Sequence, residues 1–367
     1  MRVALVHYWL VTWRGGEHVL RAIADLFPQA DIYAHVVDPD LVRQRFPGHA
    51  VKTTFISRLP FSRRFYKSYL PLMPMALENL DLREYDLVIS SEAGPAKGVI
   101  VAPHTTHVCY CHSPIRYAWD MYHEYRTDAS RFTKLVSLPL LHYMRIWDQV
   151  SAQRVDHYIA NSRFVAGRVR KYYRRNCAVI YPPVAVEDFT SAPAEDFYLH
   201  VGQLVAYKRP DLLVDAFNEL GERLIVIGEG ELLSKLRKRA RPNIEFLGRQ
   251  PFESIRDHYA RCRALVFPGI EDFGIVPVEA MAAGKPVIAF AGGGVLETVV
   301  DGVTGILFTE QTQKGLVAAV REHGVRERDF VAGTIRKHAE QFTVQRFKSE
   351  FSAFIARALA EERSNDG

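Results

Sequence analysis

The amino-acid sequence predicts an α/β fold with two domains, each built on a parallel β-sheet with crossover helices. At 367 residues, the chain is too long for one ordinary hydrophobic core and suits two domains. Short apolar runs alternate with helical segments in both halves, which is typical of parallel sheets. A stretch rich in proline and alanine at residues 181–194 separates the halves, and the alternation begins again at Phe197.

Residues 1–183 are predicted to form the N-terminal domain. Helices are expected over residues 16–26 and 163–173, and Asn161-Ser162 is a suitable cap for the second of them. Strands are expected at residues 2–7, 31–34, 86–90, 99–101, 106–111, 157–160 and 179–181.

Residues 184–342 are predicted to form the C-terminal domain. Its helices are expected over residues 211–220, 231–240 and 277–283. Its strands are expected at residues 197–201, 224–227, 244–247, 264–267, 286–290 and 305–308. Residues 343–367 form an amphipathic helix with Phe347, Phe351, Phe354 and Ile355 on one face, and we expect it to cross back and pack on the N-terminal domain.

Composition indicates a globular protein without membrane-spanning segments. Hydrophobic residues make up 48% and charged residues 24% of the chain, and the net charge of +5 is mild. No apolar run reaches the ~18 residues of a spanning helix, and the N-terminus does not resemble a signal peptide. The spacing of Cys109, Cys111, Cys177 and Cys262 fits neither a metal site nor a disulfide framework. We therefore expect a cytoplasmic protein, at most peripheral on the inner face of the plasma membrane.

Nucleotide and metal motifs of other families are absent or incomplete. Gly228-Glu-Gly230 begins like a dinucleotide fingerprint, but Leu233 stands where the third glycine belongs, which argues against a dehydrogenase. The P-loop pattern GxxxxGK[ST] does not occur in the sequence. Asp38-Pro-Asp40 follows an early strand, and we interpret it as a polar turn rather than a metal site. Neither a metal nor a cofactor is expected.

The most informative stretch of the sequence covers residues 269–290, GIEDFGIVPVEAMAAGKPVIAF. It places Glu271 at the carboxyl end of a predicted strand, where ligands gather in open α/β sheets, and before a helix whose N–H groups favour anions. Glu279 falls in the predicted first turn of that helix and has two interpretations. It could interact with the helix dipole. It could also, like Glu271, bind neutral hydroxyl groups beside a phosphate, as on a sugar or ribose.

Motifs along the chain resemble those of the family 4 glycosyltransferases. The strongest is E-x7-E, formed by Glu271 and Glu279 within FGIVPVEAMAAGKPVIA. The others are Gly15-Gly16, HSPIRYAWD with His112, Asn161-Ser162, VGQLVAYKRPDLLVDAF with Lys208, GEGEL, and FLGR ending at Arg249. The resemblance covers nearly the whole chain. It implies the GT-B fold, two Rossmann-like domains with a cleft between them, and transfer of a sugar from a nucleotide-sugar donor with retention of configuration.

The resemblance also implies roles for residues on the sugar side of the donor. Glu271 would bind hydroxyls of the transferred sugar, and Glu279 would bind those of the ribose. Backbone N–H groups of Phe273, Gly274 and Ile275 would face the sugar and the phosphate.

On the diphosphate side, Lys208 and the backbone at Gly15 and Gly16 would stabilise the charge that develops on the leaving group. In the same family pattern, His112 would lie against the transferred sugar. Lys208, Glu271 and His112 are therefore the candidate catalytic residues.

The sequence departs from the family at Gln203, where an arginine commonly contacts the diphosphate. A glutamine donates hydrogen bonds but carries no charge. Either Arg209 or another cation compensates, or the site is electrostatically weaker. Arg249 is a further candidate for donor binding.

Within the family, the segments VHYWLVTWRGGEHVL, CYCHSPIRYAWDMYHEY and AYKRPDLLV are most similar to mannosyltransferases of bacterial surface and extracellular polysaccharide assembly. This implies GDP-mannose as the donor and a lipid-linked oligosaccharide as the acceptor. The alternatives are a UDP-sugar-dependent glucosyl- or N-acetylglucosaminyltransferase, a nucleotide-sugar epimerase, and a non-catalytic nucleotide-sugar-binding protein. A nucleic-acid partner is not expected, because basic clusters are few and no base-stacking motif is evident.

Residues 52–74 combine positive charge with aromatic and aliphatic side chains. The cations are Lys52, Arg58, Arg63, Arg64 and Lys67. This composition suits an anionic membrane surface or a lipid-diphosphate acceptor, and it equally suits a solvated basic segment over the core.

Overall fold

A computed structural model describes residues 1–122 and 131–365, which form two compact units. The first unit comprises Met1–Pro183 and Phe347–Gly367, and the second comprises Val184–Arg346. The first residues of the C-terminal helix therefore belong to the second unit. His123, Glu124 and Tyr125, which end one of the segments similar to mannosyltransferases, lie outside the described residues.

Within the described residues, the first unit is built on a seven-stranded parallel sheet with the order β3-β2-β1-β4-β5-β6-β7. The strands are β1 Val3–His7, β2 Asp31–Ala34, β3 Val51–Thr53, β4 Leu87–Glu92, β5 Thr106–Cys111, β6 His157–Ala160 and β7 Ala178–Val179. The strand order reverses between β1 and β4. Ligands bind in open α/β sheets at the carboxyl edge beside such a switch point.

Helices pack on both faces of this sheet. They are α1 Gly15–Ala24, α2 Pro39–Arg45, α3 Ser62–Phe65, α4 Met73–Glu78, α5 Arg131–Ser151, α6 Arg163–Tyr173 and the C-terminal helix Val344–Asn365. Leu20 of α1 shares a core cluster with Leu5 of β1. Met144 of α5 shares another cluster with Val6, whose side chain leaves the opposite face of the same strand.

The C-terminal helix completes the core of the first unit. Phe347, Phe351 and Ile355 are buried in the same cluster as Leu5. Burying each of these side chains contributes about 1.5–3 kcal/mol. At the surface, Nζ of Lys348 lies 2.8 Å from a carboxylate oxygen of Asp25.

Residues 99–101 do not form the predicted strand. They follow the short 3-10 turn Ala96–Gly98 and run as irregular chain towards β5. The sheet has no place for them, because β4 pairs directly with β5. Val99 is buried but Ile100 is 50% exposed, so the apolar run indicated local packing rather than a strand.

The basic segment at residues 52–74 contains α3 and the 3-10 helix Tyr66–Leu72. Lys52 is paired within the unit: its Nζ lies 2.8 Å from the carboxylate of Asp31 and also donates to two tyrosine hydroxyls. The other four cations are exposed and have no carboxylate partner among the described residues. Phe61 and Phe65 lie among them with 75% and 48% of their surface exposed. We call Arg58, Phe61, Arg63, Arg64, Phe65 and Lys67 the basic-aromatic surface.

In the described part of the chain, the second unit is built on a six-stranded parallel sheet with the order β10-β9-β8-β11-β12-β13. The strands are β8 Tyr198–Val201, β9 Leu224–Ile227, β10 Ile244–Gly248, β11 Leu265–Phe267, β12 Val287–Phe290 and β13 Gly305–Phe308. The helices are α7 Pro210–Leu220, α8 Leu233–Arg239, α9 Phe252–Arg261, α10 Ile275–Ala282, α11 Val295–Thr298, α12 Gln313–Arg326 and α13 Ala332–Ala339. The switch point of this sheet lies between β8 and β11.

The N-terminus of α2 is capped by the side chain of Asp38. The carboxylate of Asp38 accepts hydrogen bonds from the backbone N–H groups of Asp40 and Leu41. Asp38-Pro-Asp40 is therefore the capped start of α2.

Across residues 1–122 and 131–365, no helix has both the length and the apolar character needed to cross a bilayer.

Candidate active site

Lys208 and Glu271 form an ion pair at the switch point of the second sheet. Lys208 ends the 3-10 turn Ala206–Lys208 after β8, and Glu271 lies in the loop after β11. The distance between Nζ and Oε1 is 2.6 Å, and the two side chains are 18% and 16% exposed. The pair presents a cation and a carboxylate side by side, which suits a ligand that carries both an anionic group and hydroxyls.

Close backbone packing brings the Lys208 and Glu271 loops together. A Cβ atom at Gly269 would lie 2.7 Å from Cα of Lys208, so the loop after β11 contacts the Lys208 backbone directly. Cβ atoms at Gly228 and Gly230 would lie 1.8 Å and 2.3 Å from carbonyl oxygens of the loop after β8. The Gly228-Glu-Gly230 turn therefore supports the loop that leads to Lys208.

A second glycine run holds the backbone of Glu271. It follows β12, and the N–H of Gly294 donates a hydrogen bond of 2.8 Å to the carbonyl of Glu271. Gly293 pairs with Glu271 as an isolated parallel bridge. Gly293 has a φ of +73°, and a Cβ atom there would lie 2.4 Å from the same carbonyl oxygen, so only glycine fits.

The loop of Glu271 leads into the N-terminus of α10. Gly274 caps this helix with a φ of +91°, and Ile275 is the first helical residue. The side chain of Phe273 is buried, and its ring lies 5.6 Å from that of Phe342. Phe273, Gly274 and Ile275 can thus act on a ligand only through backbone groups or, for Ile275, an apolar side chain. The N–H groups at this helix start suit an anion.

Glu279 lies one turn into α10, so its predicted place in the first turn of the helix was wrong. The helix begins earlier than residue 277 because Gly274 supplies the cap. The carboxylate of Glu279 accepts a hydrogen bond of 2.9 Å from the Tyr259 hydroxyl. Burial raises the pKa of Glu279 to about 7, and the hydrogen bond from Tyr259 offsets only part of this rise.

The raised pKa of Glu279 predicts a pH-dependent stability difference between the wild type and Glu279→Gln. The folded pKa of about 7 exceeds the ordinary 4.5, so the folded state holds the proton more tightly. The stabilisation is complete below the ordinary pKa and is lost as pH rises through 7. Melting temperatures measured from pH 5 to pH 8 should shift in favour of Glu279→Gln as pH rises. Glu253→Gln, on an exposed part of α9, should show no such trend. If the difference in melting temperature between the wild type and Glu279→Gln did not change with pH, the raised pKa of Glu279 would be contradicted.

The structure separates the remaining donor-binding candidates. Gln203 is exposed on the loop between β8 and Lys208. Arg209 follows Lys208 with a φ of +55°, and its guanidinium lies 3.1 Å from the carboxylate of Asp211. Arg249 is exposed after the edge strand β10 and has no hydrogen bond or ion pair within the described residues. The charge of Arg209 is therefore already balanced by Asp211, and Lys208 is the cation that faces Glu271.

In the first unit, Gly15 and Gly16 begin α1 at the carboxyl edge of the sheet. The Glu17 carboxylate accepts a 3.0 Å hydrogen bond from the backbone N–H of Arg14, which precedes the helix. A Cβ atom at Gly16 would lie 2.8 Å from the Tyr8 hydroxyl, so a larger residue there would displace the end of the Tyr8 side chain.

His112 also lies close to Gly16. A Cβ atom at Gly16 would lie 3.7 Å from Nε2 of His112, and that nitrogen is 2.9 Å from Oγ of Ser91. Burial lowers the pKa of His112 to about 4, so the imidazole is neutral at pH 7. The structure thus brings His112 and Gly16 together, and His112 can exchange hydrogen bonds with a ligand without carrying a charge.

An inward-facing arginine fixes the segment that follows His112. Arg168 of α6 is buried, donates a 2.9 Å hydrogen bond to Oγ of Ser113, and forms an ion pair with Asp120. The ring of Trp119 stacks on Tyr172 of the same helix. Arg168 therefore serves the interior of the unit and not its basic surface.

Two features near the Lys208–Glu271 pair were missed from the sequence. Gly293 and Gly294 belong to three consecutive glycines after a predicted strand, a signal that was available. His200 stands alone in the apolar strand β8, which gave no indication of its position. Its Nδ1–H donates to the carbonyl of Val266 at 2.9 Å, and burial lowers its pKa to about 4.

Comparison with known proteins follows the division into two units. A model described as Glycosyltransferase Family 4 matches residues 13–188, and one described as Glycosyl transferases group 1 matches residues 186–323. An uncharacterized glycosyltransferase of Methanocaldococcus jannaschii is 30% identical over 57% of this chain and 60% of its own length. The alpha-1,3/1,6-mannosyltransferase ALG2 of Dictyostelium discoideum is 28% identical over 54% of this chain and 57% of its own. The chain thus spans little more than half the length of these curated relatives.

A solved structure extends the likeness to the whole fold. The Anabaena protein Alr3699/HepE, solved in complex with UDP and glucose, is 18% identical, with a TM-score of 0.73 over 97% of this chain and 99% of its own. At that identity the likeness concerns the fold, which is GT-B. Two adjoining family matches over residues 13–323 and the shared architecture lead to one conclusion: the chain belongs to the family 4 type of glycosyltransferases with the GT-B fold.

Proposed function

We propose that the protein is a retaining glycosyltransferase that moves mannose from GDP-mannose to a lipid-linked oligosaccharide in surface or extracellular polysaccharide synthesis. The observation that carries the proposal is the 2.6 Å pair of Lys208 and Glu271 at the switch point of the second sheet. A nucleotide sugar has a diphosphate next to a hydroxyl-rich ring, and this pair offers one group for each. The N-terminus of α10 adds N–H donors beside the same loop.

In the proposed reaction, the acceptor hydroxyl attacks C1 of the sugar on the face from which the diphosphate departs. The new bond joins the acceptor oxygen to C1, the bond between C1 and the phosphate oxygen breaks, and the hydroxyl proton passes to the departing phosphate. Lys208 stabilises the negative charge that develops on the diphosphate. Glu271 holds hydroxyls of the transferred sugar, and Glu279 accepts from the ribose hydroxyls in its ionised form. As the family resemblance implies, His112 lies against the transferred sugar, and the backbone at Gly15 and Gly16 stabilises the diphosphate.

The choice of mannose is supported by the ALG2 relative, which is named as a mannosyltransferase. A specific observation favours a second candidate, a UDP-sugar-dependent glucosyl- or N-acetylglucosaminyltransferase. Three structures of similar fold were solved for HepE, with UDP and glucose, with UDP, and with UDP-glucose. The exposed Gln203 and the Arg209–Asp211 pair leave Lys208 as the principal cation for either diphosphate.

A nucleotide panel distinguishes the two donors. Calorimetric titration with GDP, UDP, ADP and their sugars should show the tightest binding for GDP and GDP-mannose, and these ligands should raise the melting temperature most. With GDP-mannose bound, the protein should transfer the mannose to an acceptor or to water and thereby release GDP. A clear preference for UDP would favour the second candidate, and absence of any nucleotide-sugar binding would contradict both.

We further propose that the basic-aromatic surface holds the protein on an anionic membrane, at the inner face of the plasma membrane. Four cations without carboxylate partners in the described chain surround two exposed phenylalanines. Each cation near an anionic surface contributes about 1 kcal/mol. The double variant Arg63→Glu/Lys67→Glu should float with phosphatidylglycerol vesicles at least about tenfold less than the wild type at low salt. Lys171→Glu, an exposed charge change on α6, should float normally. A wild type that does not bind such vesicles would remove this proposal.

A further inference from the structure

Aromatic rings form a continuous path in the first unit between Gly16 and the basic-aromatic surface. The ring of Tyr8 lies 4.1 Å from that of His7 and 4.5 Å from that of Trp9. Trp9 in turn lies 4.7 Å from Tyr66, the residue that begins the 3-10 helix after α3. Tyr8, Trp9 and Tyr66 are all partly exposed.

The two ends of this path have different chemistry. At one end, the Tyr8 hydroxyl packs against Gly16 beside His112. Burial raises the pKa values of the Tyr8 and Tyr66 phenols. At the other end, Nζ of Lys67 lies 5.9 Å from the centre of the Tyr66 ring.

Positive charge continues beyond Tyr66. The guanidinium of Arg64 lies 5.4 Å from the centre of the Phe65 ring, and Arg63 is its neighbour in α3. None of Arg63, Arg64 and Lys67 has a carboxylate partner among the residues the structure describes. Phe61 and Phe65 expose their rings beside these cations, 6.3 Å apart. Beyond the aromatic path, the surface is therefore both cationic and apolar.

We propose that this path is the acceptor site: Tyr8, Trp9 and Tyr66 bind the acceptor saccharide, Arg63, Arg64 and Lys67 bind a diphosphate attached to it, and Phe61 and Phe65 contact the lipid that follows. The inference rests on the proposed function and deepens it by naming the class of acceptor. Apolar C–H faces of sugar rings pack on aromatic rings, and sugar hydroxyls reach the phenol oxygens. Lysine and arginine are the usual partners of phosphate oxygens. The Tyr66 ring lies next to both Trp9 and Lys67, so one ligand that carries a saccharide and a diphosphate can contact the aromatic path and the cations together.

The test uses the full chain and short soluble probes. The probes are farnesyl diphosphate, farnesyl diphosphates that carry one glucose, galactose, mannose or N-acetylglucosamine, and the methyl glycosides of these sugars. Calorimetry should show that at least one sugar-bearing diphosphate binds the wild type tenfold or more tightly than either farnesyl diphosphate or the methyl glycoside. Equal affinity with and without a sugar would overturn the proposal.

Variants separate the two parts of the site. Tyr66→Ala should abolish the gain in affinity that the sugar provides, while farnesyl diphosphate binds as before. Tyr66→Phe keeps the ring and should retain that gain in affinity. Arg64→Glu/Lys67→Glu should weaken all diphosphate probes at least tenfold. Tyr143→Ala, which removes a 46% exposed aromatic side chain from α5, should change nothing. A Tyr66→Ala protein that retains the sugar gain overturns the assignment of the ring.

Donor binding is measured in the same preparations, so failure of this inference and failure of the proposed function can be distinguished. If GDP-mannose binds and is turned over but Tyr66→Ala behaves like the wild type with the sugar-bearing probes, only the acceptor site is wrong. If no nucleotide sugar binds, the proposed function fails, while the saccharide-diphosphate affinity still decides whether the aromatic path is a binding site. Circular dichroism of each variant excludes unfolding as the cause of lost binding.

Discussion

Lys208→Ala should lower kcat/KM for donor turnover by about 10²- to 10³-fold, the usual cost of removing one group that stabilises developing negative charge. Lys208 is the cation that faces Glu271, at an Nζ–Oε1 distance of 2.6 Å, and both side chains are largely shielded from water. Shielding strengthens its effect on a departing diphosphate. Its loss would also leave Glu271 without this ion-pair partner, which disfavours binding of an anionic donor. Glu271→Ala should cause a loss of similar size, through the transferred sugar.

The measurement is steady-state release of GDP from GDP-mannose, with the donor affinity obtained by calorimetry. Lys337→Ala, which removes an exposed lysine from α13 of the same unit, is the matched control and should retain normal turnover. Lys208→Arg keeps the charge but has a different shape, and we expect it to recover only part of the activity. Near-normal turnover by Lys208→Ala or Glu271→Ala would show that the role proposed for that residue is wrong.

Gly293→Ala should reduce donor turnover by at least about 100-fold, although it alters no side chain proposed to touch the donor. A displacement of about 1 Å in a reacting group can cost a factor of this size. The φ of +73° is unfavourable for alanine and costs about 1–3 kcal/mol. The added Cβ would lie 2.4 Å from the carbonyl oxygen of Glu271, so the Glu271 loop must move. Activity falls because the carboxylate of Glu271 shifts relative to Lys208.

Gly333→Ala is the control for Gly293→Ala. An added Cβ there meets no atom within 4 Å, and the residue lies in α13, so alanine should be neutral or stabilise the unit by about 0.5–1 kcal/mol. Thermal denaturation and turnover are measured for both variants. If Gly293→Ala remained folded and fully active, the glycine run would have no part in holding Glu271.

The sequence allowed the fold to be predicted where short apolar runs were bounded by turn residues. The predicted strands at residues 31–34, 106–111, 157–160, 224–227 and 305–308 have the bounds found in the structure. The signal failed where an apolar run served another purpose, as at residues 99–101. The helices α9, α12 and α13 were not predicted, because their surfaces are polar and their apolar positions are few.

The sequence indicated the motifs of the candidate site but not the geometry that positions their residues. The spacing of Glu271 and Glu279 was visible, but the N-cap role of Gly274, and hence the position of Glu279 within α10, depended on a φ angle that no spacing reveals. The pairing of Lys208 with Glu271 joins two loops that are far apart in the sequence although they follow the adjacent strands β8 and β11. Likewise, the Arg209–Asp211 pair and the burial of Arg168 are set by side-chain directions, which charge counts do not report.

The C-terminal helix makes the first unit discontinuous in the chain. Residues 184–346 lie between the last strand of that unit and the part of the C-terminal helix that fills its core. During synthesis, the first 183 residues therefore emerge with an incomplete hydrophobic interior, and the surface that awaits Phe347 and Phe351 stays open until the second unit has been made. Contacts across so many residues are slow to form, and domains usually fold from the N-terminus as they appear. The second unit is one uninterrupted segment, whereas the core of the first unit can be completed only after the second has been made.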